Sequence, residues 1–207
     1  MRHPLLARPG LYVITDGPRA DLVAAVTAAL AGGARLVQYR DKTQDAARRA
    51  EEARALAALC ARHDAGFIVN DDVELAAQVA AGVHLGEDDA DIAAARTRLG
   101  DSAVIGVSCY DDFDRARSLA ARGADYVAFG AFYPSSTKPA ARRATPELLR
   151  RAAALDVPRV AIGGITPENA GPLIEAGADF VAVISAVFGT GDITRAASRF
   201  ASLFPSP

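Results

Sequence analysis

The sequence predicts an α/β chain folded as one (β/α)8 barrel, and three observations carry that prediction. Short apolar runs alternate with helix-patterned stretches in eight phrases of similar length. The runs are continuously apolar, as strands of a parallel sheet covered on both faces are. The 207 residues suit one barrel with a sizeable core. An open, doubly wound sheet of eight strands fits the same alternation but suits this length less well. The expected organisation is therefore one domain over residues 1–207.

In chain order, Leu11 to Thr15 is the first strand, stopped by the turn signal Asp16-Gly17-Pro18 and followed by a helical pattern from Asp21 to Ala31 that ends at Gly32-Gly33. A strand at Leu36 to Tyr39 runs into Arg40-Asp41-Lys42, and an Ala- and Arg-rich helix spans Gln44 to His63. Phe67 to Val69 and Val83 to Leu85 are strands on either side of a helix from Val73 to Ala80. A crossover that short makes the two strands parallel neighbours, so Asn70-Asp71-Asp72 and Glu87-Asp88-Asp89 emerge at the same sheet edge. Next come a helix at Asp91 to Leu99, a strand at Val104 to Ser108, a helix at Asp112 to Arg122 and a strand at Tyr126 to Phe129. The loop Ala131 to Ala144 leads to a helix from Pro146 to Leu155. The chain closes with strands at Arg159 to Ile162 and Phe180 to Ile184 around a helix at Pro167 to Ala176, and a helix at Ile193 to Leu203. The triplet Gly-Ala-Asp recurs at 123–125 and 177–179.

A formal net charge of −2 gives no basic footprint for nucleic acid, and no apolar run reaches membrane-spanning length. The N-terminal MRHPLLARPG does not read as a signal peptide, so a cytoplasmic location is expected. Cys60 and Cys109 form neither a disulfide framework nor a metal-ligand spacing and read as buried, reduced thiols. The absence of Trp argues against stacking platforms for bases or sugars.

Barrel chemistry sits where strands end and βα loops begin. Those positions carry Thr15-Asp16, Gln38-Tyr39-Arg40-Asp41-Lys42, Asn70-Asp71, Gly86 to Asp89, Ser108, Gly130 with the loop to Lys138, Gly163-Gly164 and Ile184-Ser185. Acids crowded at one edge without visible basic partners call for a divalent cation or solvent, although any single Asp there also reads as a helix cap. Arg40, Lys42 and Lys138 add three cations, and cations with a hard metal are what a diphosphate needs. Free backbone N–H groups at Gly163-Gly164 and Ile184-Ser185 match the place where barrels often hold a phosphate monoester; tight turns that need Gly are the plainer reading. His84 reads as a packed strand residue with an internal hydrogen bond rather than a base. Cys109 has no adjacent general base and makes a poor nucleophile.

Over Leu11 to Gly189 the chain resembles the thiamine-phosphate synthase family, through QYRDK (38–42), VNDDVELA (69–76), GVHLGEDD (82–89), GVS (106–108), GADYVAFGAFYPSSTKP (123–139), AIGGITPEN (161–169) and GADFVAVISA (177–186). The resemblance implies a Mg2+-dependent barrel enzyme joining a pyrimidine-methyl diphosphate to a thiazole phosphate, or its 2-carboxy form, with loss of pyrophosphate. Carried over residue by residue, Gln38, Arg40, Lys42, Asn70, Ser108 and Lys138 become pyrimidine-diphosphate contacts, with Tyr39 and Asp41 beside them. Asp71 and Asp89 become metal ligands. Ser135, Ser136, Thr137, Gly164, Ile184 and Ser185 become the thiazole-phosphate site. Arg40, Lys42, Lys138 and Ser108 take the catalytic roles. Glu87, Ala131, Ser135 and Cys109-Tyr110 depart from the usual pattern.

The implied chemistry needs no Ser-His or Cys-His arrangement, because the thiazole nitrogen is the nucleophile. Displacement next to an electron-rich aminopyrimidine favours a dissociative transition state, so the enzyme stabilises departing charge and holds the reactants close. Two other readings stay open at this point: a thiazole tautomerase-like paralogue, against which Asn70, Asp71, Asp89 and Lys138 argue, and a non-catalytic barrel that binds a phosphorylated ligand. The expected partners are small phosphorylated molecules, without nucleic acid or membrane; a homo-oligomer is left open.

Overall fold

The computed structural model describes residues 3–89, 91–134 and 142–205. Strands β1 (Gly10–Ile14), β2 (Ala34–Tyr39), β3 (Gly66–Asn70), β4 (Gly82–Leu85), β5 (Ile105–Tyr110), β6 (Tyr126–Gly130), β7 (Arg159–Ile162) and β8 (Phe180–Val183) pair in parallel in chain order, and β8 returns to β1. The barrel is therefore closed, and the open sheet is excluded. Outside it lie α1 (Leu22–Ala31), α2 (Ala46–Arg62), α3 (Val73–Gln78), α4 (Ile92–Leu99), α5 (Phe113–Ala121), α6 (Pro146–Arg151), α7 (Gly171–Glu175), α8 (Ser185–Phe188) and α9 (Ile193–Ala201).

Alternation along the strands sorts the core into two layers. Tyr12, Leu36, Ile68, Val104, Tyr126, Val160 and Phe180 fill the barrel, and Leu6 from a short 3-10 turn at Pro4–Leu6 joins them. Val13, Val37, Val69, Val83, Val127 and Val181 face the helices. Each large apolar side chain so buried contributes roughly 1.5–3 kcal/mol. Gly106 has a specific reason: a Cβ there would lie 1.8 Å from Cζ of Tyr126, so glycine makes room for that ring inside the barrel.

Of the strand-end acids that also read as helix caps, Asp72 is one, and four further aspartates cap helices elsewhere. The side chains of Asp45, Asp72, Asp91, Asp112 and Asp192 each accept a backbone N–H in the first turn of α2, α3, α4, α5 and α9. The recurring Gly-Ala-Asp triplet is a structural clasp. Gly123 (φ 95°) and Gly177 (φ 99°) take the left-handed conformation after α5 and α7. Asp125 Oδ2 then accepts from Ile105 N and Arg96 Nη2, both at 2.7 Å, and Asp179 Oδ2 accepts from Arg159 N at 2.9 Å and Arg159 Nε at 3.1 Å. Each aspartate thus ties its own strand to the start of the preceding one.

Two expected helices depart most from their anticipated bounds. The stretch 146–155 changes to 3-10 geometry at Ala152. The stretch from Pro167 starts its helix only at Gly171, because Asn169 closes a turn in which its Oδ1 accepts from Thr166 N at 2.8 Å and its Nδ2 donates to Gly164 O at 3.1 Å.

Candidate active site

Because the strands are parallel, their C-terminal ends share one mouth, and β2 shows how the pleat selects residues for it. Gln38 points into the barrel, donating through Nε2 to Tyr12 Oη at 2.7 Å. Tyr39 points outward into the helix layer, where its hydroxyl donates to Glu52 at 2.6 Å. Asp41 is buried, accepting from Arg48 at 2.7 Å and from the Thr43 amide at 2.8 Å. Burial of Asp41 is more than offset by the Thr43 amide and Arg48, which hold its carboxyl below the usual range. Tyr39 and Asp41, expected as substrate contacts, here make their side-chain bonds within the β2–α2 connection and helix layer. Arg40, half-buried, is anchored by its backbone, which exchanges hydrogen bonds with Thr15 Oγ1. Among the described residues none pairs with its guanidinium.

The acids at the ends of β3 and β4 are not without basic partners, which corrects the expectation from sequence. Asp72 caps α3 and accepts from Arg49 at 2.8 Å. Asp71, in the left-handed region at φ 63°, pairs with the Lys42 ammonium. Such a backbone geometry is costly for a non-glycine residue and turns the carboxylate toward its neighbours. The Asp71 and Asp89 carboxyls meet, and Asp89 also accepts from the Gly86 amide. Burial disfavours the Asp71 anion, yet Lys42 outweighs that and holds its carboxyl below the usual range. Burial, and next the Asp71 carboxyl, pushes Asp89 up. Two carboxyls with opposed shifts make a hard-oxygen donor pair. A shallow cavity of about 230 Å3 lies beside them, lined among others by Lys42, Arg49, Asn70 and Asp71. Arg49 was not anticipated; no local pattern distinguishes it from the other arginines of α2.

On the opposite side of the barrel, Gly163 (φ 107°) and Gly164 (φ 61°) follow β7, and Ile184 and Ser185 follow β8, with Ser185 opening the short α8. The Gly164 requirement is internal as well: a Cβ there would lie 2.3 Å from Pro134 O. Ser135, Ser136, Thr137 and Lys138 lie outside the described residues.

The barrel interior beneath the mouth holds an unforeseen polar chain. Tyr12 Oη lies 2.9 Å from Tyr126 Oη, Tyr126 Oη lies 2.9 Å from His84 Nδ1, and His84 Nε2 lies 2.9 Å from Ser108 Oγ. The Tyr12 and Tyr126 rings meet edge-on at 6.1 Å, and His84 stacks on Tyr126 at 5.7 Å. Burial pushes the His84 imidazole down to about 4, against the Asp71 charge, and pushes both phenols up. His84 is thus neutral and internally hydrogen-bonded, as anticipated.

Two of the departures from the family pattern meet on one residue. Arg142 donates to Glu87 at 3.2 Å and stacks its guanidinium over the Tyr110 ring at 4.7 Å, tying the loops after β4, β5 and β6 together. Cys109, beside Tyr110, faces the helix layer, and burial pushes its thiol up to about 12, consistent with an inert side chain.

A family model described as thiamine monophosphate synthase matches residues 11–187. The chain is 57% identical over 192 residues to a thiamine-phosphate synthase of Halorhodospira halophila, covering 92% of this chain and 91% of that protein. It is likewise 57% identical over 198 residues to the enzyme of that name from Chromobacterium violaceum, covering 94% and 96%. Among solved structures, a thiamine phosphate pyrophosphorylase of Pyrococcus furiosus superposes with a TM-score of 0.86 at 36% identity, over 96% of both chains. A 3-hexulose-6-phosphate synthase at 18% identity and a TM-score of 0.69 shares the fold alone.

Proposed function

The chain belongs to the thiamine monophosphate synthase family, and we propose that its barrel mouth performs that family's reaction with a diphosphate side at β2–β5 and a monophosphate side at β7–β8. The enzyme is a transferase. It condenses 4-amino-2-methyl-5-(diphosphooxymethyl)pyrimidine with 4-methyl-5-(2-phosphoethyl)thiazole to give thiamine phosphate and pyrophosphate. We assign residues 1–207 to one catalytic domain.

The observation that carries the assignment of sides is the meeting of Lys42, Asp71 and Asp89 at the ends of three adjacent strands. Among the described residues no cluster of three or more His, Cys, Asp and Glu forms a closed cage. A pair of carboxylates suits Mg2+, which commonly takes one or two protein carboxylates and fills its shell with substrate phosphate and water. Asp71 and Asp89 would hold it, and when bound it supplies positive charge to the departing pyrophosphate. Arg40 and Lys42 bind the diphosphate from the β2 side, and Lys138 takes the same role on the evidence of its motif. Gln38, Asn70 and Ser108 orient the pyrimidine from inside the barrel. Gly164, Ile184 and Ser185, together with Ser135, Ser136 and Thr137, receive the thiazole phosphate and so aim its ring nitrogen at the exocyclic carbon.

No helix among the described residues is long and apolar enough to cross a membrane, and two reduced thiols support a cytoplasmic setting. Incubation with both phosphorylated substrates and Mg2+ tests the function: equimolar thiamine phosphate and pyrophosphate are expected, whereas tight binding of both substrates without product would contradict it.

A further inference from the structure

Gln38 and Ser108 stand on β2 and β5, and the chain of side chains that joins them through the barrel interior takes one direction when Gln38 Nε2 is the donor to Tyr12. Gln38 Nε2 donates to Tyr12 Oη, so the single Tyr12 hydroxyl hydrogen goes to its other partner, Tyr126 Oη. Tyr126 must then donate its own hydrogen to His84 Nδ1. With Nδ1 an acceptor, the neutral imidazole carries its hydrogen on Nε2 and donates it to Ser108 Oγ. Ser108 accepts there, and its remaining hydrogen is left for the barrel mouth.

We propose that Tyr12, Tyr126 and His84 are positioning residues that transmit the orientation of the Gln38 amide to Ser108, fixing the Ser108 hydroxyl as a hydrogen-bond donor toward the pyrimidine substrate. The inference rests on the proposed placement of the pyrimidine between Gln38 and Ser108. It adds that the two contacts are not independent: reversing either end reverses every hydrogen in between. A hydroxyl held this way has its hydrogen free for an acceptor atom, such as a ring nitrogen. Buried polar chains of this kind stay intact because a lone member left unpaired is costly. The burial of Tyr12 and Tyr126, each at 1% or less exposure, gives them no water to turn to instead.

The direct test is 15N NMR of histidine-labelled protein in a His3→Gln, His63→Gln background, which leaves His84 as the sole histidine. The expected spectrum shows a protonated-type Nε2 and a bare-type Nδ1, and Tyr126→Phe or Tyr12→Phe removes that preference. The kinetic counterpart is a double-mutant cycle. Tyr126→Phe should lower kcat/KM for the pyrimidine diphosphate by about fivefold, the size of one net hydrogen bond, and leave KM for the thiazole phosphate unchanged. In a Ser108→Ala background the same change should have almost no effect, because the path ends at Ser108. If Tyr126→Phe does not fold, Tyr12→Phe makes the same cycle. An Nδ1–H tautomer in the unsubstituted chain overturns the proposal, and so does an equal loss in both backgrounds. Failure of the functional assignment would look different, with the Nε2–H signature intact but no thiamine phosphate formed by the unsubstituted enzyme.

Discussion

The Lys42 ammonium rests on the Asp71 carboxylate, so a cation proposed to bind diphosphate and a carboxylate proposed to bind metal are each other's partners in the free chain. On the proposed reading, substrate and metal separate them, each taking one member. The pair is mostly solvent-facing on the lysine side, where ion pairs contribute little to folding, ~0–1 kcal/mol. Lys42→Met is therefore expected to leave the melting temperature almost unchanged while lowering kcat/KM by about 10²-fold, the range for loss of one preorganised charge. A variant that loses stability but turns over normally would mark the pair as structural.

The thiazole side calls for a different residue from the one its glycine motif first singles out. Gly164→Val cannot report on phosphate binding alone, since a Cβ would meet Pro134 O and the left-handed φ disfavours any side chain. Ser185 is exposed and can be changed without that conflict. Ser185→Ala should raise KM for the thiazole phosphate about tenfold, as one charge-assisted hydrogen bond does, with the pyrimidine KM unaltered. Equal shifts for both substrates, measured by varying each at saturation of the other, would point to one shared anion site.

The clasp at the opposite end of the barrel should separate stability from activity. Asp179→Asn weakens the charge-assisted bonds to Arg159 N and Nε and is expected to cost ~1–3 kcal/mol. Urea denaturation reads that loss, while KM for both substrates stays within twofold, since the clasp lies far from the strand ends that form the mouth. A rise in either KM at full folding would show that the clasp reaches the site.

The two thiols give a check on the core. Burial pushes Cys60 and Cys109 each up to about 12, so both remain neutral thiols near pH 8. A thiol-reactive disulfide reagent should label the folded chain slowly, leave its activity intact, and label both residues once urea unfolds it. Rapid labelling of Cys109 with loss of turnover would bring that residue back into the site.

The barrel was legible because each strand is a mostly apolar run, and that pattern depends only on neighbours in sequence. The strand-end cluster was legible for a related reason: Asn70 ends β3, Asp71 follows it, and Asp89 lies in the short loop after β4. The pleat of β2 was legible too, and its period of two already sends Gln38 and Tyr39 to opposite faces; reading QYRDK as one unit placed Tyr39 and Asp41 at the mouth, where the structure has their side chains in the helix layer and the β2–α2 connection. What the sequence could not supply are contacts between distant positions. Lys42 meets Asp71 across 29 residues, and Tyr12 meets Tyr126 across 114, so neither partnership has a local signature. The turn closed by Asn169 was hidden for another reason, since PEN reads equally well as a helix start and only the Gly164 carbonyl decides between them.

The claim on which the account stands is that Asp71 and Asp89 join metal and diphosphate, and calorimetric titration of pyrophosphate with and without Mg2+ tests it most directly. In the unsubstituted enzyme, Mg2+ is expected to strengthen pyrophosphate binding by about tenfold or more, while in Asp71→Ala and Asp89→Ala that enhancement disappears and the Mg2+-free affinity, set by Arg40 and Lys42, is retained or raised. An undiminished Mg2+ enhancement in both folded variants would contradict the assignment.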